Sequence, residues 1–306
     1  MHDHSSHNHA SHDVALASFE SVKLSFIIAV VANLAFTLVE AVYGFITNSV
    51  SLLADAGHNL SDVLGLLLAW GAAYLATQQS SKTFSYGYRK ATILAAVINA
   101  VVLVLAAGFI AFESIRKFLA PAPIEEIPVI VVASIGILVN AGTAMLFMRG
   151  SGHDLNVRGA FLHLAYDAAI SAGVVIGAIV ILMTGRLWVD PLLGLFIVAV
   201  ILFGTWGLLR DSVNLILDAV PQHIDLAAVR AYLEAIDGVE GIHDLHIWAM
   251  STHETGLTAH LVMPKAPLWE HEDSYARISA ELEARFKIHH VTLQVERDPA
   301  CATDCD

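Results

Sequence analysis

The sequence predicts an α-helical membrane protein: six transmembrane helices followed by a C-terminal cytoplasmic α/β domain of order αββαβ, a small open-faced, ferredoxin-like sandwich. Three observations predict it. The 306 residues are 56% hydrophobic and only 15% charged, with the charge gathered toward the ends. Apolar runs recur at 24–46, 52–77, 91–115, 127–148, 160–184 and 191–209, each near the ~20 residues a bilayer core requires. From residue 216 the apolar runs shorten and charged residues return, so a smaller domain closes the chain. The expected division is a tail over 1–16, a six-span domain over 17–215, a cytoplasmic domain over 216–298 and a Cys-containing tail over 299–306.

The chain opens on MHDHSSHNHASHD, whose His2, His4, His7, His9 and His12 stand among Ser, Asn and Asp. Such a composition cannot bury a core, so the segment is expected to be disordered and to bind metal loosely. No short apolar stretch with a small-residue cleavage site marks a secretory signal. In the first span, Glu40 lies toward the outer end with Tyr43 and Gly44, where an interfacial acid and an exit-side carboxylate are both open readings.

The second span carries SLLADAGHNLSD, residues 51–62. At ~100° per residue, positions i and i+4 project side by side, so His58 and Asp62 share one helical face. Asp55 falls ~20° from Asp62 around the axis, as ligand neighbour, support or helix-end cap. The fifth span repeats the pattern in HLAYD, with His163 and Asp167. Two such faces opposed supply two nitrogens and two carboxylates, the donor set of a four-coordinate first-row divalent ion: zinc first, with cobalt, nickel, iron and manganese as alternatives. An intramembrane Asp costs ~2.5–3.5 kcal/mol. These spans hold Asp55, Asp62 and Asp167 with no Lys or Arg to neutralise them, an imbalance that a bound cation resolves. The competing reading is a structural polar cluster.

The remaining spans carry fewer signals. Asn33, Asn99 and Asn140 read as interhelical hydrogen-bond donors, and Glu113 as the partner of Arg116 or Lys117 at a helix end. His153 and Asp154 are adjacent in the loop MRGSGHDLNVR and read as solvated. Pro191 opens the sixth span after Asp190, with Trp188 at the aromatic-belt position. Lys23, Lys82, Arg89, Lys90, Arg149, Arg158 and Arg210 fall on one side against Arg116, Lys117 and Arg186 on the other, which places both termini inside.

Past residue 216, the segment 225–236 has helical spacing after an Asp cap, 271–286 reads as a charged helix, and 239–249, 257–263 and 290–296 read as strands. His243, His246, His253, His260, His289 and His290 crowd this domain, with Glu296 and Asp298 near its end. Strand alternation offers His260 and His290 a common face, and a regulatory zinc site follows as an expectation. Cys301 and Cys305 in CATDC add possible thiolates; as the only two cysteines, they set no disulfide framework. The net charge of −13 with 16 histidines argues against nucleic acid and fits a protein that handles cations.

With these residues in view, the chain resembles the cation diffusion facilitator family of metal/proton antiporters, in particular its zinc-transporting branch. The resemblance runs over residues 21–298. It is carried by SLLADAGHNLSD, FSYGYRKATILAAVINA, HLAYDA, WVDPLLGL, GIHDLHIWAM, LTAHLVM and IHHVTLQVE. It implies a homodimer in the lipid bilayer, a transport site of His58, Asp62, His163 and Asp167, and a cytoplasmic metallochaperone-like domain that helps dimerise and binds further Zn2+ through His243, His260, His290 and Glu296. The loop QQSSKTFSYGYRK departs from relatives that carry an additional His/Asp site there. The expected activity is export of Zn2+ from the cytoplasm against protons, in a bacterial inner membrane. An intramembrane metalloenzyme is the runner-up, disfavoured by four protein ligands and the lack of HExxH; a metal sensor or store is the third reading.

Overall fold

The computed structural model describes residues 30–148, 155–264 and 272–297. The His-rich tail, His153, Asp154, Cys301 and Cys305 lie outside the described residues. Six apolar helices come first: α1 (Val30–Ile46), α2 (Val50–Ala76), α3 (Ala91–Leu119), α4 (Glu126–Met148), α5 (Leu155–Thr184) and α6 (Val189–Ile216). Five are long and apolar enough to cross a membrane, and α1 is shorter over its described residues.

Three helices overrun their apolar runs. α3 continues through Arg116 and Lys117 to Leu119, α6 passes Arg210 to Ile216, and α5 begins at Leu155 rather than near 160. Backbone hydrogen bonding does not stop where hydrocarbon ends, and the two cations in the last turn of α3 suit the negative end of its dipole. Glu113 pairs with Arg116 one turn on, as expected.

The described residues fall into two compact units, one formed by the chain up to Leu66 with Val101–Thr205, the other by Leu67–Ala100 with the chain from Trp206 on. In the first, Phe36, Leu52, Leu103, Ile110, Val129, Val174 and Ile197 pack one core drawn from all six helices. Leu105, Phe109, Leu138 and Phe203 point outward from the same helices, as residues facing lipid do. Gly136 of α4 admits a close approach, because a Cβ there would lie 2.6 Å from the Phe36 ring and 3.2 Å from Ser171 Oγ. Asp190 closes the start of α2: its carboxylate accepts from Ser49 Oγ (2.6 Å), Val50 N (2.8 Å), Ser51 N (3.2 Å) and Ser51 Oγ (2.6 Å). An anion at a helix N-terminus with four donors is satisfied electrostatically and by hydrogen bonds.

The second unit contains α7 (Leu226–Glu234), β1 (Gly241–Ala249), β2 (Thr255–Val262), α8 (Glu272–Phe286) and β3 (His290–Glu296), in the expected order αββαβ. Asp225 caps α7 by accepting from Ala227 N (2.9 Å) and Ala228 N (3.2 Å). The sheet order is β1-β2-β3, antiparallel then parallel. Val229 and Leu233 of α7 and Ile278 and Leu282 of α8 pack on Leu257, Ala259 and Leu261 of the central strand, so both helices cover one face. Residues 258, 260 and 262 project from the other by alternation. Within this unit Arg89 pairs with Glu254 and Lys90 with Asp218, both at 2.8 Å.

Candidate metal centres

The helical period delivers the first centre. His58 and Asp62 stand one turn apart on α2, and His163 and Asp167 one turn apart on α5. Packing of the helices sets the cross distances: His58 Nε2 lies 3.5 Å from Asp167 Oδ1, and His163 Nε2 lies 3.4 Å from Asp62 Oδ2. Within each helix the imidazole and carboxylate are 3.6 Å apart. Two ligands held ~2.0–2.1 Å from a tetrahedral zinc stand ~3.4 Å from one another by simple trigonometry. The separations thus exceed hydrogen bonds and suit donors waiting around a cation.

His58, Asp62 and Asp167 each offer an atom within 4.8 Å of the other two, and His163 reaches the same two carboxylates. Both oxygens of Asp167, Asp62 Oδ2 and His58 Nδ1 are buried without a hydrogen bond. The Asp167 side chain is fully buried while 46% of His163 is exposed, so the centre is open on the His163 side.

Four further polar residues surround this centre; the sequence left Glu40 and Asp55 with open readings and gave Asn59 and Ser171 none. Glu40, read as interfacial or as an exit-side acid, is fully buried among the helices. It accepts from Asn59 Nδ2 at 3.2 Å, and Asp55, also fully buried, accepts from Ser171 Oγ at 2.7 Å. Asn59 directly follows His58, and Ser171 lies one turn beyond Asp167. Asn59 one turn after Asp55, and Ser171 one turn after Asp167, were the available signal. The expectation for Asn140 fails: it is buried with neither polar atom hydrogen-bonded.

The second centre sits on the open face of the sheet. His243 Nε2 is 2.9 Å from Glu296 Oε2, and His260 Nδ1 is 2.9 Å from Glu296 Oε1. The His243 and His260 rings meet edge to face at 4.9 Å, and the three residues form a group able to hold a metal. β1 carries a bulge between His243 and His246, where Asp244 adopts φ 53. The bulge turns Asp244 toward the cluster, 2.7 Å from His246 Nε2 and 3.5 Å from His260 Nε2. Burial alone pushes the Glu296 carboxyl up, but hydrogen bonds from His243 and Gln294 and the neighbouring His243 and His260 outweigh it and hold it below the ordinary value. The hydrogen bond with His246 holds Asp244 low against a smaller opposing effect of burial.

His290 does not join this centre. It lies on the expected face, but β3 pairs in a register that sets His290 beside Gly256 and Gln294 beside His260. Four residues along a strand are ~13 Å. The His290 ring stands edge-on to Tyr86 at 5.7 Å instead.

The family profile of the cation efflux transmembrane domain matches residues 26–217, and that of the cation efflux protein cytoplasmic domain matches 221–298. The chain is similar to the cadmium, cobalt and zinc/H(+)-K(+) antiporter of Bacillus subtilis, at 35% identity over 86% of this chain and 85% of the relative. It is 36% identical to the metal cation efflux system protein CzcD of Cupriavidus metallidurans, over 96% of this chain and 92% of that one. With the zinc transporter ZitB of Escherichia coli it shares 35% identity over 88% and 86% of the two chains. These names are of transporters, not of enzymes. Two profiles in tandem and relatives matched over most of both lengths place the chain in the cation efflux family, the cation diffusion facilitators, as a multi-pass membrane protein.

Proposed function

We propose that the chain is a secondary active transporter that exports Zn2+ from the cytoplasm in exchange for protons, acting as a homodimer. The observation that carries the reading is the spacing of His58, Asp62, His163 and Asp167, two nitrogens and two carboxylates separated by 3.4–3.6 Å at the centre of apolar helices. The relatives' names, which include zinc beside cadmium and cobalt, support zinc as cargo. An imidazole ligates metal only as the neutral base, so protons and zinc compete for His58 and His163. Loading is favoured near neutral pH on the cytoplasmic side and release in a more acidic medium outside.

In this reading residues 17–215 form the transport domain in a bacterial inner membrane, with both termini cytoplasmic. Residues 216–298 dimerise and bind regulatory zinc through His243, His260 and Glu296. The tails, 1–16 with its histidines and 299–306 with Cys301 and Cys305, raise local metal concentration rather than carry the ion.

Purified chain in vesicles tests the proposal. Zinc uptake should follow an imposed pH gradient and should vanish with Asp62→Asn or Asp167→Asn at equal protein incorporation. Wild-type flux in either variant removes the site assignment, and no flux in the wild type removes the transport reading. Deleting 1–13 should raise the zinc concentration for half-maximal flux and leave the maximal rate intact.

A further inference from the structure

Beside the imidazole–carboxylate centre lies a group of buried oxygens that zinc ligation does not use. Glu40 of α1 and Asp55 of α2 are fully buried, and Asp55 stands one turn before Asn59 on α2. Asn59, equally buried, extends its Nδ2 to Glu40 Oε2 at 3.2 Å, and Ser171 Oγ donates to Asp55 Oδ2 at 2.7 Å. One oxygen on each of three side chains is left over: Glu40 Oε1, Asp55 Oδ1 and Asn59 Oδ1 are buried with no donor.

Two buried carboxylates with an unpaired amide carbonyl beside them lack positive charge. Among the described residues, the lysines and arginines that form ion pairs do so with Glu254, Asp218 and Glu113, not with these acids. The charged or titratable groups that face the pair are Asp167 of α5 and His58 of α2, one of them a further acid. Glu40, Asp55, Asp62 and Asp167 together bring four negative charges when ionised, and one zinc ion offsets two. A buried charge persists only when paired.

We infer that Glu40, Asp55 and Asn59, supported by Ser171, build a second cation site made only of oxygen donors, which takes the hard monovalent ion exchanged for zinc. This rests on the zinc-antiport reading and names where its counter-ion is held. The donor set narrows the ion class: without imidazole or thiolate it has nothing to prefer zinc, whereas carboxylate, amide and hydroxyl oxygens suit hard cations, the class to which the proton and the alkali ions belong. Its position supplies the coupling. α2 carries Asp55 and Asn59 beside His58, α5 carries Ser171 one turn from Asp167, and Asp167 faces both centres. Zinc arriving at Asp167 removes negative potential from the Glu40–Asp55 pair and favours departure of its cation. By reciprocity, a cation between those acids weakens zinc.

Glu40→Gln and Asp55→Asn separate this site from the zinc ligands, since both remove charge at nearly constant volume. The full chain in vesicles is assayed for exchange of labelled for unlabelled zinc at equilibrium, which needs no counter-ion, and for zinc accumulation driven by a proton gradient without potassium, by a potassium gradient at equal pH, or by a sodium gradient. Both variants should exchange zinc at near the wild-type rate and lose accumulation by about tenfold or more, within the 5–150-fold range of site–site coupling. The arm in which the loss falls identifies the ion. Asn59→Ala, which removes an oxygen and no charge, should raise the gradient needed for half-maximal accumulation, and it serves if the charge variants do not fold. Wild-type accumulation in all arms overturns the inference. Loss of exchange together with zinc affinity, in variants that melt and elute as wild type, also overturns it by assigning these oxygens to the zinc path. Failure of exchange in the wild type instead sinks the transport reading itself.

Discussion

Asp167 is the residue on which the proposed transport centre converges. It is fully buried, neither of its oxygens has a hydrogen bond, and both histidine rings lie 3.5–3.6 Å away. Asp167→Asn keeps the shape and removes the anion, so zinc affinity should fall by more than the 10–100-fold typical of an outer-shell change. Calorimetric titration of the variant checks this; affinity within a few-fold of wild type is the contrary result. His58→Asp tests the nitrogen in a different way. A carboxylate titrates well below an imidazole in the unperturbed case and is a harder donor, so the pH profile of flux should move toward acid and discrimination against manganese should weaken. At this scale the sequence was most informative, because the i, i+4 relation between His58 and Asp62 needs only the helical period. That Asn59 reaches Glu40, 19 residues away on another helix, depends on how α1 packs against α2, which no local pattern encodes.

Between elements, the close contacts are what the sequence could not supply. Asp190 and Ser51 are 139 residues apart in the chain, yet one carboxylate from α6 closes the start of α2. WVDP announced a helix start without announcing whose donors the Asp would accept. Gly136 is similar: nothing in the local sequence of α4 marks it for a close approach, and the structure identifies Phe36 as the partner. Gly136→Ala should therefore cost about 1–3 kcal/mol, the usual range for overpacking a filled core. Phe36→Leu in the same chain should recover part of it, because the ring that occupies the space is gone. Thermal melting in detergent measures both. A neutral Gly136→Ala means the ring swings aside freely, and an additive double variant means the two positions are not coupled. In the sheet, alternation correctly predicted the face of His290 but not its register. Parallel pairing starting at Gly256 carried it to the far end from His260, while the bulge in β1 brought in Asp244, which alternation alone would have pointed elsewhere.

For the molecule as a whole, the zinc site proposed on the open face of the cytoplasmic sheet should tie stability to both metal and pH. Zinc that binds His243, His260 and Glu296 only in the folded chain stabilises it by about 2.7 kcal/mol at 100 times its Kd. Chelation should lower the melting temperature of that transition, and His243→Ala should remove the difference between zinc-loaded and chelated protein. The metal-free chain gives the complementary test in acid. Glu296 and Asp244 both titrate below their ordinary values of 4.5 and 3.8. A depressed carboxyl contributes its stability in full above its unfolded pKa, and that contribution disappears as pH falls through the lower folded value. The loss attributable to Glu296 should thus begin near pH 4.5 and continue below it, with none at neutral pH. Glu296→Gln should melt lower than wild type at pH 7, because a neutral amide pairs more weakly with the His243 ring than a charged carboxylate does, and the two curves should converge as pH falls through the depressed value of the native carboxyl, where it too becomes neutral. Melting of the chelated full-length protein from pH 7 to 3 distinguishes this from packing alone. If the amide acts only by packing, the gap between the variants stays constant across the range.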